Sequence, residues 1–300
     1  VPESTLREVL RARGYSEAVC FAFVGADALR AWQLEAGAIA LANPLSHELA
    51  VMRTSLLPGL VDALRRNLAR QAARVRLFEI GHTFAAGSAG PRESQCLAGV
   101  AIGSAAPEQW GAPRRALDFH DLKGDIEQLL ATTGDPASFV FQPVARPWLH
   151  PGRSAEIVRA GQAIGLAGAL HPALAGALDL PQDTWVFELA VEPLAARPVP
   201  AAADVSRLPS VRRDLAIVVD RQVPWGALET AIRAAAGPLL RGLVLFDEYS
   251  GKGLPDSARS LAIGLILQDD SRTLTDEDAS GIVASVVAVI AESFGGQLRG

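Results

Sequence analysis

The stretch DLAIVVD, residues 214–220, carries the clearest fold signal in the sequence. Apolar residues alternate along it, as they do in a strand with one buried side. We therefore expect Leu215, Ile217 and Val219 to point into a core, with Ala216 on the opposite side. Working outward from this strand organises the last hundred residues.

The segments that follow this strand alternate in a recognisable order. A proline-initiated helix comes next, and the last helix begins at a capping threonine, Thr275. This β-α-β-β-α-β order predicts a ferredoxin-like unit, in which both helices cover the same side of one sheet. The predicted segments after the first strand are helix 224–236, strands 243–249 and 259–267, a helix from residue 275, and a short closing strand after residue 296.

The side of this sheet that faces away from the helices has no covering element in the predicted topology. Strand parity places small residues there from strand 259–267, namely Ser260, Ala262 and Gly264. A flat surface of small residues leaves room for a flat ligand. The class of ligand depends on what the neighbouring strand contributes.

Parity on strand 243–249 assigns Val244 and Phe246 to the core and leaves Asp247 and Tyr249 exposed together. A tyrosine on an uncluttered surface is suited to stack with an unpaired nucleic-acid base, which contributes about 1 to 3 kcal/mol. The alternative is that Tyr249 only ends its strand and packs on the glycine-containing loop that follows.

The earlier part of the chain mixes strands and helices without a regular βαβ order, which favours a largely antiparallel sheet with helices on it. We predict an α+β chain with units at residues 1–195 and 206–300 and a proline-rich linker at 196–205. In the first unit, residues 56–73 form an amphipathic helix. Its polar face carries Arg65, Arg66 and Arg70 and is either solvated or a contact for RNA or a partner.

Composition limits the possible functions. The net charge of -5 argues against one large basic nucleic-acid surface, so any RNA contact must be local. The longest apolar run, residues 282–291, is too short to span a bilayer, and no secretory signal is visible; we expect a cytoplasmic protein without a membrane role. Two cysteines and five scattered histidines predict no disulfide framework and no metal site. The chain begins at Val1 and holds one methionine, Met52, which indicates a piece of a longer protein.

Several stretches resemble the β subunit of bacterial phenylalanyl-tRNA synthetases. NPLSHELAVMRTSLLPGLVDALRRN (43–67) and RLFEIGHTF (76–84) are similar to its catalytic-like module, a relative of class II synthetase cores. LPSVRRDLAIVVD (208–220), LFDEYSGKGLP (245–255), ARSLAIGLILQD (258–269) and RTLTDED (272–278) are similar to its ferredoxin-fold anticodon-binding domain. Both sets occur in the order of that family and together cover most of the chain.

The resemblance implies specific tRNA contacts. The anticodon-contacting positions of the family fall on Ala216, Asp247, Tyr249 and Ser260, with the aromatic residue stacking on the first anticodon base. These are positions that strand parity also turns outward. Further candidates for contacts to the RNA backbone are Lys252, Arg213 and Arg259.

The resemblance also implies that this chain has no catalytic centre. A class II active site needs two arginines around ATP, and only Arg76 with Glu79 forms a remnant of the first. A glycine-rich strand leading into the second arginine is missing from the sequence; residues 150–154 (HPGRS) come nearest. ATP and Mg would then act elsewhere in the holoenzyme, with no cofactor in this chain.

The implied partners are tRNA(Phe) and a catalytic α subunit, in an (αβ)2 heterotetramer to which helix 56–73 contributes a contact. Two alternatives stay open at this point. The chain could be an independent adenylating enzyme with a pocket in its first unit. It could also be a free-standing paralogue with a regulatory or assembly role and no tRNA binding.

Overall fold

The computed structural model describes residues 1–181, 183–199 and 206–299. The chain divides into two compact units between residues 200 and 201, a point inside the predicted linker 196–205. Residues 200–205 of that linker lie outside the described residues. The two units are described separately.

The first unit contains a large mixed sheet and six α-helices among the residues described. Its strands are β1 (Ser16–Glu17), β2 (Phe23–Val24), β3 (Val51–Met52), β4 (Val75–Gly87), β5 (Gly90–Ile102), β6 (Phe139–Pro143), β7 (Leu149–Arg159), β8 (Gln162–Leu170) and β9 (Trp185–Ala190). Its helices are α1 (Glu3–Ala12), α2 (Ala26–Trp32), α3 (Leu57–Ala69), α4 (Phe119–Ala131), α5 (Pro172–Ala177) and α6 (Val191–Ala195).

Seven of these strands form one sheet in the order β1-β4-β5-β9-β8-β7-β6. Each neighbouring pair is antiparallel except β1 with β4. The predicted largely antiparallel sheet is thus confirmed. Strands β2 and β3 pair separately.

Apolar cores cover both sides of this sheet. On one side Phe78 and Phe187 pack with residues of α1 and α4, and on the other Val100 and Val186 pack with residues of α3. Helix α4 begins with a capping box in which Asp118 accepts from the backbone of Asp121. Burial on both sides explains the nearly continuous apolar runs in the middle of the sheet, namely β9 (WVFELA) and the second half of β5 (CLAGVAI).

The second unit has the predicted β-α-β-β-α-β order. Its elements are β10 (Val211–Asp220), α7 (Trp225–Ala236), β11 (Leu240–Tyr249), β12 (Ala258–Leu267), α8 (Asp276–Phe294) and β13 (Gln297–Leu298). The sheet order is β11-β12-β10-β13, with antiparallel neighbours throughout. The ferredoxin-like prediction is confirmed.

Both helices of the second unit pack on one side of its sheet. The core between them contains Ile217, Leu228, Ile263 and Ile290, all nearly inaccessible to solvent. Helix α8 is fixed at its start by the capping box that the sequence predicts, since the Thr275 side chain accepts from the N3 backbone amide. Within the described residues no helix is long and apolar enough to cross a membrane.

Candidate nucleic-acid interface

The strand register brings the four predicted anticodon positions to one side of the second sheet. Ser260 of β12 lies opposite Tyr249 of β11, and the next outward residue of that strand, Ala262, lies between Asp247 and Ala216. Directly opposed residues of antiparallel strands point to the same side. We call this side, which carries Ala216, Asp247, Tyr249 and Ser260, the outward face.

A β-bulge sets which residues of β11 reach the outward face. Leu245 pairs with Ile263 and Asp247 pairs with Ala262, so Phe246 is an extra residue without its own partner. The prediction that Val244 and Phe246 belong to the core is therefore wrong. Val244 lies opposite Gly264 with its side chain exposed, and Phe246 is 50% exposed.

Tyr249 stands at the end of β11 with 38% of its surface exposed. Its hydroxyl donates to the backbone carbonyl of Lys252 at 3.1 Å, which holds the ring in place. The loop passes close by, because a Cβ added at Gly251 would lie 2.9 Å from that hydroxyl. Each of the two interpretations of Tyr249 from the sequence therefore describes part of its environment. The ring contacts the loop at its hydroxyl end and is also partly exposed on the outward face.

An arginine that sequence reasoning missed lies against this ring. The backbone amide of Arg299 donates to the carbonyl of Ala216 at 2.8 Å, so its side chain emerges on the outward face. Its guanidinium carbon lies 4.8 Å from the centroid of the Tyr249 ring, within the range of a cation–π contact. Among the residues described, the Arg299 side chain contacts no carboxylate at ion-pair distance.

A second arginine–aromatic pair occupies the neighbouring part of the outward face. The guanidinium of Arg212 lies 5.4 Å from the Phe246 ring centroid and donates to Asp214 at 2.8 Å. Both charged side chains lie over Gly264, where an added Cβ would be 3.0 Å from the Asp214 carboxylate. This face therefore carries two aromatic rings, where the sequence predicted one.

The outward face is also less bare than the sequence predicts. Ser260 is only 4% exposed, and Gly264 is buried. Arg212 and Asp214 cover Gly264, and Ser260 lies directly opposite Tyr249, whose ring carries the Arg299 guanidinium. A ligand on this face would meet rings and guanidinium groups before it met Ser260.

The three predicted backbone contacts are placed differently. Lys252 is exposed in the loop after β11. Arg213 lies on the helix side of β10 and forms an ion pair with Asp276. Arg259 is mostly buried, donates to the Val223 carbonyl at 2.8 Å and pairs with a glutamate of β11. The two arginines therefore lie away from the outward face, which does not favour their predicted role.

In the first unit, the arginine of the predicted catalytic remnant is neutralised by a buried carboxylate. Arg76 is almost fully buried and donates to Asp125 at 2.7 Å. The Tyr15 hydroxyl donates to the same oxygen at 2.9 Å, and the other oxygen of that carboxylate accepts from Arg13 at 2.6 Å. Burial beside this carboxylate raises the pKa of Tyr15 well above its usual range. The Arg76 side chain therefore holds α1 and α4 to the sheet.

The second residue of the remnant points to the other side of the sheet. Glu79 lies three positions after Arg76 and accepts from Arg53 at 2.7 Å, with both side chains buried. In the same row, the half-buried Glu188 accepts from the Ser55 hydroxyl at 2.8 Å, and burial raises its pKa. Because Arg76 and Glu79 lie on opposite sides of the sheet, they do not form one nucleotide site. Within the described residues no cluster of acidic, histidine or cysteine side chains could hold a metal ion.

A surface cavity of about 720 Å³ lies between α3 and the segment that contains β2. Exposed apolar residues border it, including Phe21, which is 70% exposed. Arg66 and Arg70 from the polar face of α3 line its rim. Cys20 also lines it, and burial raises the pKa of that thiol to about 12, so it is not a reactive thiolate.

Comparisons with known proteins agree with these two units. A family model for the phenylalanyl tRNA synthetase beta chain CLM domain matches residues 2–191, and one for the ferredoxin-fold anticodon binding domain matches residues 206–299. The phenylalanine–tRNA ligase beta subunit of Xanthomonas axonopodis pv. citri is 52% identical over 300 residues, 99% of this chain. That of Xylella fastidiosa strain Temecula1 is 49% identical over 299 residues, also 99% of this chain.

This chain spans 38% of the length of each of these two relatives. A solved pyrrolysyl tRNA synthetase, PylSc of Desulfitobacterium hafniense, superimposes with a TM-score of 0.47 at 19% identity, over 64% of each chain. The two domain matches define the class: a component of the aminoacyl-tRNA synthetases. Within that class, the chain belongs to the phenylalanyl-tRNA synthetase β-chain family.

Proposed function

We propose that this chain is a non-catalytic, tRNA-binding and subunit-assembly part of a cytoplasmic phenylalanine–tRNA ligase. Its second unit binds the anticodon of tRNA(Phe), and a catalytic α subunit carries out ATP-dependent aminoacylation with ATP and Mg bound outside this chain. The observation that carries the proposal is the outward face, where Tyr249 stands exposed beside Arg299 and next to Asp247. Membership in the family supports it independently.

The chemistry of the face fits an unpaired base. An aromatic ring stacks on the base, while a carboxylate such as Asp247 accepts from an amino or imino group on its edge. Arg299 adds a positive charge whose donors are available to a phosphate. Asp214 balances the charge of Arg212, so the unbalanced positive charges are Arg299 and the exposed loop residue Lys252. Such a local positive charge fits a chain whose net charge is -5.

Fluorescence titration with tRNA(Phe) tests this role, comparing the native chain with Tyr249→Ala and Tyr249→Phe. We expect Tyr249→Ala to weaken binding by about 1 to 3 kcal/mol, because the stacking partner is lost. Tyr249→Phe keeps the ring and loses only the hydroxyl bond to Lys252, so it should bind nearly as well as the native chain. Equal binding by all three would leave the face without a stacking role and would favour the paralogue alternative.

The first unit should be unable to activate an amino acid. Its remnant arginine is neutralised by Asp125, and its remnant glutamate lies on the other side of the sheet. Pyrophosphate exchange with phenylalanine and ATP should therefore stay at background for this chain alone. Exchange above background would support the independent adenylating enzyme instead.

The cavity beside α3 is the surface we assign to the α subunit, in an assembly of (αβ)2 stoichiometry. Its border of exposed apolar residues would be covered by a permanent partner. Phe21→Asp should weaken co-sedimentation with the α subunit, whereas Val140→Asp should not, since Val140 is 51% exposed in the same unit but away from the cavity. Unchanged association of the Phe21 variant would exclude this surface.

A further inference from the structure

The second aromatic ring of the outward face has no role in the proposed contacts. Phe246 is 50% exposed, although the other side of its sheet carries a well-formed apolar core. The β-bulge explains how it arises, because the extra residue in β11 turns this ring away from the core. Such exposure costs hydrophobic stabilisation unless the ring binds something.

The surroundings of Phe246 hold its ring ready for a flat ligand. Arg212 lies 5.4 Å from the ring centroid, and its charge is balanced by Asp214 at 2.8 Å. This ion pair lies over Gly264, the position of β12 with no side chain to displace it. One side of the ring is therefore supported by a guanidinium, while half of its surface faces solvent.

Phe246 and Tyr249 lie three residues apart on the same strand, which separates their backbones by about 10 Å at the usual rise of a strand. The two rings are therefore separate stacking surfaces, and each has its own arginine. One base cannot stack on both. Proteins that bind single-stranded nucleic acid often provide a row of aromatic rings for successive bases.

We propose that Phe246, supported by Arg212, is a second base-stacking subsite for a nucleotide next to the one that stacks on Tyr249. This inference rests on the proposed function, since it needs RNA on the outward face. The ring offers no hydrogen-bonding groups, so the subsite binds the flat surface of a base and accepts any of the four. Contacts at Tyr249 and Asp247 then distinguish one base from another, while Phe246 fixes the path of the RNA strand.

Binding of anticodon stem-loop RNAs that lack one base tests the subsite. Phe246→Ala should weaken binding of the intact stem-loop by roughly 5- to 150-fold, the range of one lost stacking contact. With a stem-loop that is abasic at a position neighbouring the first anticodon base, the same substitution should cause no further loss. The Tyr249→Ala loss should persist with that RNA and disappear when the first anticodon base itself is removed.

Two control variants separate stacking from folding. Phe246→Trp keeps an aromatic surface and should bind the intact stem-loop as tightly as the native chain. Val244→Ala removes an exposed apolar side chain from the same strand and should change affinity less than about twofold, because an aliphatic side chain offers no stacking surface. Thermal unfolding of each variant confirms that the second unit is folded.

The outcomes distinguish the two proposals. If Tyr249→Ala weakens binding while Phe246→Ala binds like the native chain, the second subsite is excluded and the proposed function stands. A Phe246→Ala loss that is equally large with each abasic RNA would also exclude the subsite. If neither substitution changes binding, or the stem-loop does not bind, both proposals fall.

Discussion

Arginines of the two units are used in opposite ways. Arg76 of the first unit is buried against Asp125, a carboxylate that is itself fully buried. Arg299 of the second unit is exposed and lies over the ring of Tyr249, without a carboxylate partner among the described residues. Both guanidiniums lie over a tyrosine ring, since that of Arg76 is 5.3 Å from the Tyr15 centroid, so the difference between them is the carboxylate. The carboxylate-bound guanidinium holds the fold together, and the one without a carboxylate keeps its donors for a ligand. The partner of an arginine therefore tells more about its role than its charge does.

The largest effect should come from removing the buried carboxylate of the first unit. Asp125→Ala leaves the Arg76 charge buried and unpaired and should lower the free energy of unfolding by about 3 to 5 kcal/mol. Amide hydrogen exchange of first-unit peptides over a urea series measures this loss. Glu127→Ala is the matched control on the same helix, since it breaks only an exposed ion pair with Lys123 and should cost under about 1 kcal/mol. Similar losses in both variants would show that the buried ion pair of Arg76 stabilises the fold no more than an exposed ion pair does.

The corresponding change in the second unit should affect RNA binding more than stability. Arg299→Gln removes one exposed cation–π contact, worth about 0.5 to 1 kcal/mol in the folded chain. If its guanidinium binds phosphate, the loss in RNA affinity should be larger, about 1.5 to 3 kcal/mol, and the salt dependence should become shallower by about one unit. Arg233→Gln on α7 removes an equal charge from an ion pair with Glu229 and should leave both quantities unchanged. An unchanged salt slope for Arg299→Gln would show that its charge does not contact the RNA.

A smaller effect tests whether the stability of the second unit can be lowered without changing RNA binding on its outward face. Thr275→Ala removes the side-chain oxygen that caps α8 and should cost about 1 kcal/mol. Amide hydrogen exchange of second-unit peptides over a urea series reports on this unit, while the exchange of first-unit peptides should be unaffected. Ser285→Ala, in the middle of the same helix, is the control and should be nearly neutral. If Thr275→Ala weakened RNA binding at a temperature where the variant is fully folded, the stability of the unit and its RNA binding would not be independent.

The smallest expected effect is a change in the pH dependence of stability. Burial raises the folded-state pKa of Glu188 above that of the unfolded chain. The folded state then retains a proton that the unfolded state releases, so this contribution is fully present below the ordinary pKa and is lost as pH rises through the raised one. Glu188→Gln should give a flatter stability profile over that range. The control Glu127→Gln changes an exposed side chain and should leave the stability profile unchanged. If the native chain and the Glu188→Gln chain had the same slope of stability against pH, the prediction for Glu188 would be wrong.

The sequence predicted the fold of the second unit because its signals agree. Alternation in residues 214–220, the capping threonine Thr275, and Gly237 and Gly295 at the ends of the two helices all indicate the same β-α-β-β-α-β order. The same alternation also argues against the predicted RNA contact of Arg213. If Leu215 points to the helices, then Arg213 does too, and Arg212 points outward, as the register has it.

Two features of the candidate site could not be predicted in the same way. The bulge at Phe246 inserts one residue, and no alternation within a ten-residue strand marks where it occurs. Arg299 follows a two-residue strand, which is too short to show any periodicity. Its place on the outward face depends on the pairing of that strand with β10, a contact between distant parts of the sequence.

The extra residue in β11 has a consequence for association between molecules. Strand β11 is the outermost strand of its sheet, and an unbroken outer strand offers free amides and carbonyls to any extended chain that approaches it. The irregularity at Phe246 interrupts that row, so a foreign strand cannot continue the hydrogen-bonding pattern along the whole edge. The distortion that exposes a ring thus also protects the unit against edge-to-edge aggregation.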